Sequence, residues 1–214
     1  VRSLLAAGGF LDPEELIRKG GYLILFGIVF AESGLLVGFF LPGDSLLFVA
    51  GMAAAGSLGK VELNLWVVLI GVFVAAVLGD QVGYLFGRKV GPALFKRPDS
   101  RLFKHEYVEK AQQFFDRHGP RAIVLARFVP IVRTFCPIVA GVGHMNYGVF
   151  VRYNVIGGLL WGVGVTLLGY FLGNVPVVED NLEIALLAIV AVSLLPVAIE
   201  FWRHRRQAGS DVQT

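Results

Sequence analysis

The amino-acid sequence predicts an all-α integral membrane protein, an inverted repeat of two re-entrant helical hairpins plus spanning helices. Three observations carry that prediction. Of 214 residues, 56% are hydrophobic and only 16% charged, with mean hydropathy +0.69, a balance that places the chain in a bilayer rather than in water. Two apolar stretches are interrupted, one at Pro42 and Gly43, the other at Pro130 and Pro137. A plain spanning helix holds no such breaks. Short motifs also recur at matched distances around them, as internally repeated transporters do.

The first element is residues 1–21, read as an amphipathic interfacial helix. Asp12 is its N-cap, Pro13 its first helical residue, Glu14 and Glu15 its acidic first turn, and Lys19, Gly20 and Gly21 its end. These acids make it a poor signal peptide. Residues 22–202 form a single membrane domain. A spanning helix takes about 20 mostly apolar residues, and such runs cover 21–41, 42–58, 63–87, 122–142, 149–172 and 182–202. Runs 63–87, 149–172 and 182–202 read as uninterrupted spans. The regions around Pro42 and Pro130 read as hairpins, because broken backbone is tolerated at membrane depth only within protein or beside water.

Lys and Arg set the orientation. Segment 88–121 carries nine basic residues against four acids, and the tail 203–214 adds Arg203, Arg205 and Arg206. Both are expected in the cytoplasm. Loop 57–62 is neutral and loop 174–183 acidic, as expected on the opposite side. With 63–87 crossing between them, the two hairpins enter from opposite faces. Repeat one is then 22–87, the basic segment 88–121, and repeat two 122–173, followed by helix 182–202 and the tail. Phe40-Leu-Pro42 recurs as Phe128-Val-Pro130, and the Gly-Tyr of Gly83 recurs at Gly169, 41 and 39 residues after the respective prolines.

Charges in the apolar regions are the functional signal. Each costs roughly 2.5–3.5 kcal/mol at the bilayer centre unless it meets a partner, water or a ligand. Glu32 and Asp44 flank Pro42; Arg127 and Arg133 flank Pro130. Hairpin tips that meet would bring acids to arginines. Structural salt bridges are the plainer reading, but a buried ion pair gains little over apolar packing. Arginine suits phosphate, and a carboxylate in a dry site can load and release a proton. The four therefore form a candidate site for an anionic headgroup, with Arg127 and Arg133 binding phosphate and Glu32 and Asp44 coupling protons. Asp80, on a face with Gly79, Gly83 and Gly87, is a supporting acid or polar glue, and those glycines serve packing within the chain or a homodimer. Asn154 reads as a helix contact and Trp161 as an interior aromatic. His105, His118 and His204 read as solvated, His144 as interfacial, and Cys136 as an apolar filler without a disulfide or metal partner. No cofactor, metal, catalytic residue or nucleic-acid partner is implied.

The stretches "FAESGLLVGFFLPGDSLLFVAG", "GDQVGYLFGRKVG" and "RFVPIVRTFCPIVAGVGHM" resemble the DedA family of bacterial inner-membrane proteins, related to VTT-domain lipid scramblases. The resemblance covers about residues 22–173. It implies that Glu32, Asp44, Arg127 and Arg133 are the required residues, and that the protein returns undecaprenyl phosphate across the cytoplasmic membrane with dependence on proton motive force. Membrane lipids and protons are then its other partners. Two alternatives stand beside this: a proton-coupled exchanger of a small ion or solute, and a lipid phosphatase, which the scattered histidines disfavour.

Overall fold

The computed structural model describes residues 13–35, 41–58, 61–95, 115 and 119–175. Outside these lie Asp12, most of the basic segment with His105 and His118, helix 182–202, and the tail with His204. The described elements are helical: α1 (Pro13–Gly34), α2 (Gly43–Ala54), α3 (Leu65–Phe95), α4 (Arg121–Ala126), α5 (Pro130–Val142), α6 (Tyr147–Gly158), a π-helical turn (Leu159–Val163) and α7 (Gly164–Leu172).

Local sequence accounts for the boundaries. Gly21 breaks α1 with φ 48° and ψ −133°, a conformation open to glycine, so 13–20 and 22–34 run in different directions. The Asn64 side chain accepts from Trp66 N (3.0 Å) and Val67 N (3.3 Å) and starts α3; Asn146 accepts from Val149 N (3.2 Å) and starts α6. Pro130 occupies the first turn of α5, where a missing N–H is harmless. Pro137 does not break the chain as its composition predicts. Helix α5 runs through it, with its ring set against Gly83 of α3. Packing against α3 holds the helix although Pro137 cannot donate to the Arg133 carbonyl.

Among the described residues, two helices are long and apolar enough to cross a bilayer, Leu65–Val90 and Tyr147–Leu172; at 1.5 Å per residue each spans roughly 39 Å. Their outward faces stay apolar: Trp66, Ile70, Leu78, Phe86, Leu160 and Phe171 are exposed, as lipid contact requires. Runs 42–58 and 122–142 instead yield the short helices α2, α4 and α5.

Glycines position the short helices against the long ones. Helix α1 meets α3 where Gly34 and Gly79 touch backbone to backbone. Helix α2 crosses α7: a side chain on Gly169 would overlap the Phe48 carbonyl, and one on Gly51 the backbone of Thr166 and Tyr170. Helix α5 crosses α3 in the same way, Gly87 against the Ile138 carbonyl and Gly141 against the backbone of Tyr84 and Arg88. The short arm of each sequence half therefore rests on the long helix of the other. Gly79, Gly83 and Gly87 are all occupied by contacts inside the chain. One apolar cluster gathers α1, α2, α3 and Trp161; a second surrounds Tyr84, Cys136, Ala140 and Phe150, with Tyr84 stacked on Phe150 at 4.5 Å.

Candidate functional site

The candidate site forms where the end of α1 and the starts of α2 and α5 converge between the long helices. Glu32 lies in the last turn of α1, Asp44 in the first turn of α2, and Arg133 in the first turn of α5. Gly43 makes the approach possible, because a side chain there would occupy the position of Glu32 Oε2. That explains the Pro42-Gly43 pair physically: proline stands at the N-cap of α2, and glycine admits the carboxylate.

Arg133 spreads its two terminal nitrogens between the acids of the other half. Nη1 donates to Asp44 Oδ1 at 2.8 Å, and Nη2 donates to Glu32 Oε1. Arg133 and Glu32 are buried, whereas the Asp44 side chain keeps 21% of its exposure. The guanidinium carbon sits 4.3 Å from the centre of the Trp161 ring, a cation–π distance. The indole N–H of Trp161 donates to the same Asp44 Oδ1 at 2.7 Å.

Arg127 has different company. Its Nη2 donates to Asp80, to Asn154 Oδ1 at 2.5 Å and, at 3.4 Å, to the Ala76 carbonyl. Asn154 passes the constraint on through Nδ2, which donates to Val77 O at 3.1 Å. Arg127, Asp80 and Asn154 are all within 2% of full burial. Gly157 leaves room for the arginine stem, since a side chain there would lie 2.7 Å from Arg127 Cδ. Among the described residues, Nε and Nη1 of Arg127 and Nε of Arg133 have no hydrogen-bond acceptor.

The four charges expected to meet are thus divided. Glu32 and Asp44 both reach Arg133; Arg127 pairs with Asp80 instead. Asp80 and Asn154, read as supporting, are the direct partners of an arginine. Trp161 was legible only as an interior aromatic, although its spacing of seven from Asn154 places both on one helix face. His144, at φ 52°, lies in the turn before α6, apart from the charges. Cys136 is buried in the second cluster. Among the described residues, no group of histidine, cysteine and acid side chains could hold a metal ion.

The VTT domain matches residues 41–171. Over 198 residues the chain is 51% identical to Protein DedA of Escherichia coli K12, covering 91% of this chain and 90% of that protein. A membrane protein of Mycobacterium leprae is also 51% identical, over 92% of this chain and 86% of its own length. Inner membrane protein YqjA of Escherichia coli K12 is 38% identical over 81% and 79%. No solved structure matches the chain. With these relatives and two bilayer-length apolar helices among the described residues, the chain is a membrane protein.

Proposed function

The chain belongs to the VTT-domain, or DedA, family, and on that premise we propose that it carries an anionic lipid phosphate across the bacterial cytoplasmic membrane, coupled to protons. Undecaprenyl phosphate is the proposed substrate. The observation that carries the reading is the sharing of one buried guanidinium by two carboxylates, Glu32 in the last turn of α1 and Asp44 in the first turn of α2.

Charge balance supports it. Two acids and one arginine leave that cluster one negative charge in excess when all are ionised, which is costly in a bilayer. A phosphate monoester brings about −1.5 to −2 more. An anion can therefore displace the carboxylates from Arg133 only if protons arrive on Glu32 or Asp44, and their departure re-forms the pairs and expels it. Anion and proton are coupled by electroneutrality. Arg127, with Nε and Nη1 lacking an acceptor among the described residues, contributes further donors, and the first-turn amides of α2 and α5 favour negative charge.

The reciprocal glycine crossings support two inverted hairpin repeats: the same three-residue spacing between carbonyl and glycine occurs at 48 and 51 and at 138 and 141. Alternating access would follow from one arm loosening on its long helix as the other closes, with the basic segment and tail in the cytoplasm.

Purified protein in liposomes loaded with labelled polyprenyl phosphate provides the test. Wild-type exchange should accelerate with an inward proton gradient, and Arg133→Ala should lower it at least about 100-fold, the order expected for losing a desolvated charge contact. Equal rates for wild type and Arg133→Ala would remove the proposal. Solute uptake indifferent to polyprenyl phosphate would replace it with a small-solute exchanger, and release of inorganic phosphate with a lipid phosphatase.

A further inference from the structure

The long helix Tyr147–Leu172 is α-helical except for the π-turn Leu159–Val163. One extra residue per turn is unfavourable and rare, and such turns concentrate at functional sites. Trp161 is in its middle. Its neighbours Leu159 and Leu160 are both 52% exposed, while Trp161 is 1% exposed. The widened turn thus faces two leucines outward and the indole inward, onto the guanidinium of Arg133.

A buried tryptophan needs an acceptor for its N–H, and many carbonyls could serve. Here the acceptor is Asp44 Oδ1, which also receives Arg133 Nη1; the two donors lie 2.7 and 2.8 Å from that oxygen. A carboxylate oxygen held between a guanidinium N–H and an indole N–H occupies a place that an anionic phosphate oxygen could take with the same geometry. Glu32 Oε1 holds the equivalent place on Nη2. Displacement of Asp44 would free both donors together, and the indole N–H would otherwise be left buried and unmatched.

Building on the lipid-phosphate reading above, we propose that Trp161 is a headgroup-binding residue, its indole N–H serving with the two terminal nitrogens of Arg133 as a third donor to the phosphate. Its ring covers one face of the guanidinium, so the phosphate approaches along the edge that carries Nη1 and Nη2. The π-turn is what presents N–H and ring together.

Trp161→Phe keeps a ring over Arg133 and removes the donor. In the liposome exchange assay it should raise the half-saturating polyprenyl phosphate concentration about 10-fold or more with the maximal rate less affected, the order expected for one hydrogen bond to a charged group. Wild-type exchange with Trp161→Phe indistinguishable from it would overturn the assignment and leave the lipid reading standing; absent wild-type exchange would strike the lipid reading itself. A second measurement is independent of folding defects at Trp161. The sequence has three tryptophans, and Trp66→Phe with Trp202→Phe leaves Trp161 as the sole emitter in the full-length protein in detergent. Titration with farnesyl phosphate should change its emission saturably, and farnesol should not. Unchanged emission while farnesyl phosphate raises the melting temperature would overturn the assignment. An identical response to inorganic phosphate at the same concentration would retain Trp161 as a phosphate ligand and overturn the preference for lipid.

Discussion

Arg127 and Arg133 stand six residues apart in one sequence motif, yet they occupy different electrostatic settings. Arg127 is matched one to one with Asp80, braced by Asn154, and sealed from solvent. Arg133 faces two acids, one of them part-exposed, under an indole ring. A neutral, sealed pair has no partner to exchange and favours a single arrangement. A cluster with excess negative charge and a part-exposed carboxylate can trade that carboxylate for a proton and an anion. We propose that the first pair holds the helices in register while Arg127 lends its spare donors to the site, and that the second cluster carries the exchange.

The comparison breaks most readily at Asp80. Arg127→Met leaves that carboxylate buried and unpaired, and unfolding in detergent should show a loss of about 3–5 kcal/mol. Adding Asp80→Leu should recover most of it, because apolar packing can replace a buried ion pair. If the double variant is as unstable as the single one, the pair is not a self-contained structural unit. A smaller effect is expected at the brace: Asn154→Ala removes an acceptor from Arg127 and should cost about 1.5–3 kcal/mol, read from the same unfolding curve. Exchange kinetics sharpen the point, since Asn154→Ala should change stability more than the half-saturating lipid concentration.

The smallest effect belongs to an ion pair in water. Lys19 donates to Glu15 at 2.8 Å in the first part of α1, and that hydrogen bond lowers the Glu15 carboxyl below its ordinary value. What the pair adds is present above the ordinary carboxylate range and lost as pH falls through the lowered one. Fully solvated pairs contribute little, so Lys19→Gln should leave the melting temperature unchanged at pH 7 and at pH 3. A measurable shift would mean that residues 13–20 are more enclosed than the helix alone indicates.

Composition and spacing alone established much of this protein. Apolar runs over 63–87 and 149–172 announced the two long helices because a bilayer demands length and hydrophobicity, both of which are local properties. Pro42-Gly43 and Pro130 announced breaks in the apolar runs for an equally local reason, the missing N–H and the missing Cβ; that short helices start there came from the structure. Isolated charges in those runs identified the candidate site residues, since each needs a partner wherever the chain folds. Which partner was decided only by tertiary structure: nothing in the spacing distinguishes Asp80 from Glu32 as the mate of Arg127. Pro137 inside an intact helix and Trp161 on a π-turn are decisions of the same kind. Pro137 rests against Gly83 of α3, and Trp161 against Arg133 and Asp44, contacts between residues tens of positions apart that local propensity cannot record.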